Sequence, residues 1–238
     1  MKKYFITGTS RGIGKAVAEN ILTKPDVRVS GMSRNCNISH SRYEHVYVDL
    51  SKPGDAGEFN FPDLPDAEEI VLINNAGVIS NIKRTGQQKT EDIINDYNVN
   101  IVSPSILINN FIKKYQYYTN KRVILNVSSG AGRHTTDAWS VYCASKAALD
   151  MFSRNIDKEQ SFFNEENRIR IYSVAPGVVE TEMQRQIRES SEKDFSELKK
   201  FVNLKKNGQL TNPEKTAKLL LKIIDDNFSE VILDVRNL

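Results

Sequence analysis

The chain has 238 residues, of which 39% are hydrophobic and 26% charged, ordinary values that exclude a disordered chain, a collagen and a coiled coil. Its 33 basic and 30 acidic residues leave a net charge of only +3, and no apolar run approaches the roughly 18 residues of a membrane span, so we expect neither nucleic acid nor a membrane as a partner. The two cysteines, Cys36 and Cys143, form no disulfide framework and favour a reducing, cytoplasmic location.

Along the chain, short apolar runs that predict strands alternate with longer segments of helical periodicity. The predicted strands are 3–7, 27–32, 45–48, 70–74, 121–127, 168–174 and 231–234, and the predicted helices are 12–22, 91–115, 138–159 and 213–226. This alternation predicts one α/β domain over residues 1–238, a doubly wound parallel sheet of about seven strands with helices on both faces. The proline-rich crossover 49–70 allows at most a short helix, and the polar stretch 178–210 is expected to be a long functional loop.

A glycine-rich turn joins the first predicted strand to the first predicted helix. Its sequence is Thr7-Gly8-Thr9-Ser10-Arg11-Gly12-Ile13-Gly14. Gly8 permits a tight turn, Gly12 lets the backbone approach a phosphate, and Gly14 lets the helix pack closely, while free N–H groups at the helix start face the anion. The plain alternative is a glycine-rich turn without a ligand. The strand before the turn and the helix after it favour a dinucleotide site.

A tyrosine, a lysine and a serine form a candidate catalytic group. Tyr142 and Lys146 are four residues apart in a predicted helix and therefore share one face. The lysine ammonium is expected to lower the pKa of the phenol toward neutral, which suits general acid–base work. Ser129 ends the preceding strand, where its hydroxyl could bond a substrate carbonyl. The alternative is a core tyrosine, an exposed lysine and a strand-end serine.

The end of the second predicted strand bears on cofactor choice. An NAD-selective site usually places an acidic residue there, on the ribose 2′-hydroxyl. This strand instead ends Gly31-Met32-Ser33-Arg34-Asn35, with no acid. Arg34 is placed to meet a 2′-phosphate and Arg11 can add a second positive charge. Both arginines could be ordinary surface residues, but the missing acid agrees with a preference for NADP(H).

Together, these motifs resemble those of the short-chain dehydrogenase/reductase family, which has a Rossmann-type fold. The resemblance is carried by six segments in order: the glycine turn, Asn74-Asn75-Ala76-Gly77, Asn98-Val99-Asn100, Asn126-Val127-Ser128-Ser129, the Tyr142–Lys146 pair and Pro176-Gly177-x-x-x-Thr181. It implies hydride transfer between a nicotinamide C4 and a carbonyl carbon, with Tyr142 giving the proton to the carbonyl oxygen. It also implies that Asn100 holds a water that links Lys146 to solvent; a helix-side amide packed on a neighbouring strand is the alternative. We expect Asn74 to stabilise the central sheet and expect no metal ion.

The same resemblance implies a division of labour along the chain. Residues 1–128 would bind the dinucleotide and residues 129–238 would carry catalysis and substrate binding. The cofactor-binding residues it implies are Gly8, Ser10, Arg11, Gly12, Ile13, Gly14, Arg34, Asn35, Asp49, Leu50, Asn75, Ala76, Gly77, Tyr142, Lys146, Pro176, Gly177, Val179 and Thr181. It further implies a homodimer that pairs the long helices 91–115 and 138–159 across a two-fold axis. Ile101, Ile108 and Phe111 have a spacing that suits either a core or that interface.

Within the family, the sequence is most similar to the sepiapterin reductases and the bacterial benzil reductases. The matching residues are Trp139, the run from Tyr142 to Met151, the segment from Ala175 to Gln184 and the tail from Leu204 to Leu210. The resemblance implies an NADPH-dependent reductase of a ketone or vicinal dicarbonyl, with substrate contacts from Ser129, Trp139, Tyr142, Gly177, Met183 and Asp234.

Asp234 falls where a pterin-anchoring acid stands in the sepiapterin reductases, and a carboxylate accepts two parallel N–H bonds well. The alternative is a strand-end residue whose carboxylate is either capping or solvated. Two other functions stay open: a 3-oxoacyl thioester or sugar-alcohol oxidoreductase of the same family, and a non-catalytic NADP(H)-sensing regulator. The intact Ser129, Tyr142 and Lys146 count against the regulator, which would need none of them.

Overall fold

Seven parallel strands form one sheet in the computed structural model, which describes residues 1–238. The strands are β1 (Lys2–Thr7), β2 (Val27–Ser33), β3 (Tyr43–Tyr47), β4 (Glu69–Asn74), β5 (Lys121–Val127), β6 (Arg170–Ala175) and β7 (Ile232–Asp234). Their order across the sheet is β3-β2-β1-β4-β5-β6-β7, and every neighbouring pair is parallel. The predicted doubly wound parallel sheet is therefore confirmed.

Eight α-helices connect and cover these strands. They are α1 (Gly12–Leu22), α2 (Pro53–Glu58), α3 (Thr90–Tyr97), α4 (Ser103–Tyr115), α5 (Ser140–Gln160), α6 (Glu182–Arg188), α7 (Leu198–Lys206) and α8 (Pro213–Asp226). The start of α8 shows why a helix begins there: Pro213 occupies its first turn, and the Asn212 side chain accepts a bond of 2.7 Å from the Lys215 N–H. None of the helices has the length and apolar character needed to cross a membrane.

The two faces of the sheet carry separate cores. Along β1, Tyr4 and Ile6 pack with α1 and α8, whereas the intervening Phe5 packs with α2 and α4 on the other face. All six residues of β4 are buried, as expected for a central strand covered on both sides. Ile108 and Phe111 are fully buried in the second core, so their spacing reflects the core and not an interface.

Two predicted segments show more detail in the structure. The stretch 91–115 is helical throughout, as predicted, but a π-helical turn (Asn98–Val102) lies between α3 and α4. The stretch 178–210 is not a simple loop, because it contains α6 and α7. Its apolar residues Ile187, Phe195 and Phe201 pack with Trp139 in a third core, and the charged residues that suggested a loop cover the outside of these short helices. The crossover 49–70 does contain only the short α2, as predicted.

The parallel arrangement brings the carboxyl ends of β1, β4, β5 and β6 to one edge of the sheet. Gly8, Asn75, Ser128 and Pro176 begin the segments that follow these four strands. Ligands of open α/β sheets bind beyond such ends, because the loops there diverge and leave a crevice. The predicted cofactor and catalytic residues therefore meet at this edge.

Candidate active site

The glycine turn has the backbone geometry that its sequence requires. Gly8 and Gly12 have φ values of +73° and +57°, in the left-handed region that favours glycine. A Cβ at Gly14 would collide with the Gly8 carbonyl oxygen and the Asn75 side chain, so α1 can approach β1 this closely only without one. Arg11 precedes α1 and gives no side-chain cap, so the first N–H groups of the helix have no side-chain cap of their own.

The loop after β4 is fastened to this turn. The Asn75 side-chain amide donates to the Thr7 carbonyl at 3.0 Å, and the Thr7 hydroxyl accepts the backbone N–H groups of Asn75 and Ala76, each at 3.0 Å. From the other side, the Thr181 methyl lies 3.5 Å from the position that a Cβ on Gly12 would take. The structure thus gathers three predicted cofactor segments, from the ends of β1, β4 and β6, around one crevice.

The predicted adenosine end of the crevice carries exposed positive charge. Arg34 and Arg11 are exposed and form no side-chain hydrogen bond or ion pair. Burial opposes the charged form of Asp49, but bonds from Ser51 and the nearby Arg34 charge leave the pKa of Asp49 below its usual value.

Tyr142 and Lys146 lie in the same buried region of α5. Their exposed fractions are 8% and 3%, and the Lys146 Nζ lies 5.8 Å from the centroid of the tyrosine ring. The Lys146 ammonium donates to the Val127 carbonyl at 3.0 Å. Ser129 is the second residue after β5, and its Oγ accepts the Ala131 N–H at 3.1 Å. The structure thus brings the three predicted residues together.

Burial dominates the titration of this pair. It raises the pKa of Tyr142 to about 12, against a smaller opposing effect of the facing Ser129 hydroxyl. It lowers the pKa of Lys146 to about 8, against the opposing charge of Asp150. The expected lowering of the Tyr142 pKa by Lys146 is therefore wrong for this structure. The desolvation of the phenol outweighs it, and the ammonium is bonded to Val127.

Asn100 links two other parts of the site. Its Nδ2 donates to the Val78 carbonyl at 2.9 Å and the Ser145 hydroxyl at 3.2 Å, and its Oδ1 accepts the Val78 N–H at 2.9 Å. Gly77 leaves space beside it: Lys146 Nζ and Asn100 Oδ1 lie 3.3 and 3.5 Å from where a Cβ on Gly77 would stand. Asn100 thus holds a loop and a helix beside the lysine, and does not simply pack against a strand.

Asn74 has the structural role expected of it. Its side-chain amide donates to the Asn126 Oδ1 at 2.9 Å, in the register of β4 against β5, and both residues are buried. The bond cross-links the two central strands just before the loops that carry the site residues.

A cleft of about 380 Å³ opens beside the catalytic group. Ser129, Tyr142, Trp139, Gly177 and Met183 line it, together with apolar residues of α6 and α7. Trp139 is the centre of its aromatic wall, because it stacks on Phe195 at 5.4 Å between centroids and meets Tyr142 edge-on at 5.7 Å. Five of the six predicted substrate residues therefore share one cleft.

Asp234, the sixth, is not among the residues that line the cleft. It lies at the end of β7 and accepts bonds from Arg236, which does line the cleft. Sequence reasoning missed Arg236. Its position two residues after the predicted Asp234 was the available signal, because in the turn that follows β7 the Asp234 carboxylate accepts the Arg236 N–H.

A second arginine was also missed. Arg133 bonds the Asp150 carboxylate at 3.0 Å and the Leu233 carbonyl at 3.1 Å, and the Ser173 hydroxyl completes the group by donating to Asp150 at 2.6 Å. Arg133 thereby fastens the segment after Ser129 to α5 and to β7. Nothing in the sequence pairs these residues, which come from four separate elements.

The fold and this site define a class of protein, and comparison with known proteins agrees. The family model described as short chain dehydrogenase matches residues 68–192. A relative from Bacillus subtilis (strain 168), named benzil reductase ((S)-benzoin forming), is 37% identical over 232 residues, which cover 94% of each chain. The chain belongs to the short-chain dehydrogenase family.

Two further proteins are similar to this chain over nearly its whole length. A protein of the same name from Bacillus cereus is 32% identical over 239 residues, again covering 94% of each chain. Among solved structures, the KRED1-Pglu enzyme has a TM-score of 0.81 and 29% identity, covering 97% of each chain. The predicted family and its likeness to benzil reductases are confirmed, and the protein is an oxidoreductase of a family that uses nicotinamide cofactors.

Proposed function

We propose that the protein is an NADPH-dependent carbonyl reductase that transfers a hydride to a ketone or vicinal dicarbonyl. The observation that carries this proposal is the convergence of Ser129 and Tyr142 on one apolar-walled cleft, with the buried Lys146 beside the tyrosine ring, at the same sheet edge as the glycine turn. The benzil reductases among the relatives support a vicinal dicarbonyl as the substrate. In this division, residues 1–128 hold the dinucleotide and residues 129–238 hold the carbonyl substrate.

The crevice fits a dinucleotide. The absence of a Cβ at Gly12, whose nearest neighbour there would be the Thr181 methyl at 3.5 Å, and the uncapped N–H groups at the start of α1 suit a pyrophosphate. The adenosine would lie near Asp49 and Leu50, and the nicotinamide near Pro176, Gly177 and Val179. When bound, the cofactor supplies the hydride.

The chain's own residues supply orientation and a proton. Ser129 would bond the carbonyl oxygen of the substrate and steady the charge that develops on it. With a pKa of about 12, Tyr142 keeps its proton at neutral pH and is therefore ready to donate it to that oxygen. The Lys146 ammonium would stabilise the phenolate left behind, and a water held at the remaining lone pair of Asn100 Oδ1 would return a proton.

The proposed preference for NADP(H) rests on charge. Arg34 and Arg11 are exposed with no protein partner, and no acidic residue ends β2. A 2′-phosphate would accept charge-assisted bonds from both arginines, whereas the uncharged 2′-hydroxyl of NADH would accept only weaker hydrogen bonds.

A pterin substrate is the less supported alternative. Anchoring a pterin through Asp234 would require the carboxylate to exchange its bonds with Arg236, at 2.6 and 2.9 Å, for the N–H edge of the ligand. A vicinal dicarbonyl has no N–H edge and needs no such exchange. This difference favours the dicarbonyl.

A homodimer is also proposed, on the helices that flank the site. Ile94 of α3 and Met151 of α5 are large apolar residues with 55% and 58% of their surface exposed. Exposed apolar residues on two neighbouring helices support a two-fold contact, the commonest arrangement of soluble oligomers.

One assay tests the central proposal. Purified protein is supplied with NADPH or NADH, and cofactor oxidation is followed with benzil, other diketones, sepiapterin, an acetoacetyl thioester and a ketose. The expected result is brisk oxidation of NADPH with the dicarbonyls. NADPH binding without turnover of any carbonyl would favour the sensing regulator. Turnover of only the thioester or the sugar would instead favour a 3-oxoacyl thioester or sugar-alcohol oxidoreductase of the same family.

A further inference from the structure

Arg236 is a cation in the substrate cleft that the reaction described above does not use. We propose that it binds an anionic group of the substrate, so that the enzyme prefers carbonyl compounds which also carry a carboxylate. This inference rests on the proposed carbonyl reduction and names the substrate class for that same cleft.

The position of Arg236 supports a role in substrate binding. It lines the cleft together with Ser129 and Tyr142. Its Nη2 lies 3.8 Å from the point where a Cβ on Gly130 would stand, and its Cγ lies 3.7 Å from the corresponding point on Gly177. The guanidinium is therefore close to the residue that follows Ser129, and its aliphatic stem lies over the loop after β6.

Asp234 fixes the guanidinium in place. Its Oδ1 accepts the Arg236 backbone N–H and the Nε–H, both at 2.9 Å, and its Oδ2 accepts Nη2 at 2.6 Å. The Asp234 side chain is only 11% exposed, whereas that of Arg236 is 61% exposed. The carboxylate is thus the anchored partner, and the arginine presents its outer edge to the cleft. These bonds hold the pKa of Asp234 below its usual value, so the pair stays charged at neutral pH.

The pair leaves hydrogen-bonding capacity on the arginine. A guanidinium has five N–H donors in a planar fork, and Asp234 takes one from Nε and one from Nη2. The two on Nη1 and the second on Nη2 have no protein acceptor, and the Nη1–Nη2 edge matches a carboxylate in two parallel bonds. The other cation of the cleft, Lys200, is bonded to Glu197 at 2.6 Å at the outer rim.

The cleft restricts what such a substrate can be. The reacting carbonyl must reach Ser129 and Tyr142, the carboxylate must reach Arg236 nearby, and the remaining substituent must lie on the aromatic wall around Trp139. A 2-oxo or 3-oxo acid with an aryl or bulky alkyl group has these three parts. A neutral dicarbonyl also fits, but its second carbonyl oxygen accepts weaker bonds than a carboxylate does.

A matched pair of substrates tests the inference. Benzoylformate and its methyl ester share the aryl ketone and differ in charge. We expect Arg236→Gln to lower kcat/KM for benzoylformate by about 10- to 150-fold, the usual effect of losing a charge-assisted bond, and to change the ester by less than about threefold. The control Lys200→Gln, which removes the other cation of the cleft, should leave the ratio of the two substrates unchanged.

A double variant separates the loss of anion binding from a structural effect of the substitution. Because Arg236→Gln leaves Asp234 unpaired, the double variant Asp234→Asn/Arg236→Gln removes the whole pair and should show the same selective loss. Equal losses for acid and ester, no loss for either, or a matching rise in KM for NADPH would overturn the inference, since Arg236 would then be structural or would contact the cofactor.

Binding separates this inference from the proposed function. Benzoate, which has no ketone, should bind the wild-type protein with NADP⁺ at least about tenfold more tightly than benzamide does, and Arg236→Gln should abolish the difference. If no carbonyl compound is reduced, the proposed function fails, and benzoate binding alone still decides whether Arg236 binds an anion. If dicarbonyls are reduced but benzoate gains nothing from Arg236, only the inference fails.

Discussion

The nucleotide side of the crevice is made largely of backbone, whereas the substrate side is made of side chains from distant parts of the chain. At the glycine turn, N–H groups and the absence of a Cβ at Gly12 leave the space open, while the absence of a Cβ at Gly14 lets α1 pack closely on β1. In the cleft, Trp139, Met183, Phe201 and Arg236 define it, and they come from four separate segments. The nucleotide side, built of backbone, therefore tolerates few substitutions. The substrate side can be adapted to another substrate by exchanging side chains without disturbing the sheet.

The largest effect of a substitution is expected at Tyr142, where the nucleotide side and the substrate side of the crevice meet. Changing Tyr142→Phe removes the proton donor but keeps the ring that packs on Trp139 at 5.7 Å. We expect kcat to fall by about 10²- to 10⁴-fold, with NADPH affinity nearly unchanged. Steady-state kinetics and cofactor titration measure the two effects separately. A variant that kept more than about a tenth of the wild-type kcat would show that Tyr142 is not the acid, because general acid catalysis is worth more than that.

On the nucleotide side, Arg34→Asp should invert the preference for cofactor. The change removes one charge-assisted bond to the 2′-phosphate and adds a repelling charge, so the NADPH/NADH ratio of kcat/KM should fall by about 10- to 150-fold or more. Arg28→Asp is the matched control, since Arg28 lies on the same strand and is exposed, but near the opposite end. An unchanged ratio in Arg34→Asp would refute this placement of the phosphate.

The pH dependence of reduction tests the role of Lys146. The lysine carries its proton below its pKa of about 8, so the ammonium that steadies the phenolate is lost as the pH rises through that value. We therefore expect kcat/KM to decline about tenfold per unit above pH 8 and to be flat just below it. In Lys146→Arg the guanidinium stays charged, and any remaining activity should lose this decline. A wild-type profile that rises from pH 7 to 9 would contradict the assignment.

The smallest effect on catalysis is expected at the proposed dimer contact. Met151→Glu places a charge on an exposed apolar part of α5 and should convert a dimer into a monomer, as measured by light scattering at micromolar concentration, with the cofactor preference unchanged. Tyr47→Glu, on the edge strand β3, is equally exposed and should leave the dimer intact. A wild-type protein that is a stable monomer would end this proposal.

The same contrast explains how much of the molecule could be predicted from its sequence. The strands, the glycine turn and the Tyr142–Lys146 pair follow from local periodicity and spacing, and all of them have the predicted positions. The π-helical turn at Asn100 was missed because an inserted residue leaves the apolar pattern of 91–115 almost unchanged. The helices α6 and α7 were missed because each is short and bears many charges.

Properties that depend on the assembled interior could not be predicted. How completely the Tyr142 phenol is buried away from water cannot be read from the sequence, so the direction of its pKa shift was predicted wrongly. The bonds between Asp234 and Arg236 follow from the 3₁₀ turn (Val235–Asn237) after β7, in which the Asp234 carboxylate accepts the Arg236 N–H. The link from Arg133 to Asp150 joins elements that only the folded sheet brings together.

The most direct test of the account follows the hydrogen itself. NADPH that is doubly deuterated at the nicotinamide C4 is incubated with the wild-type protein and benzil, and the alcohol product is examined by mass spectrometry and NMR. The account predicts one deuterium on the carbon of the new C–H bond and none on the hydroxyl oxygen, whose proton comes through Tyr142. Product without deuterium on that carbon, or oxidation of NADPH without reduction of the dicarbonyl, would contradict it.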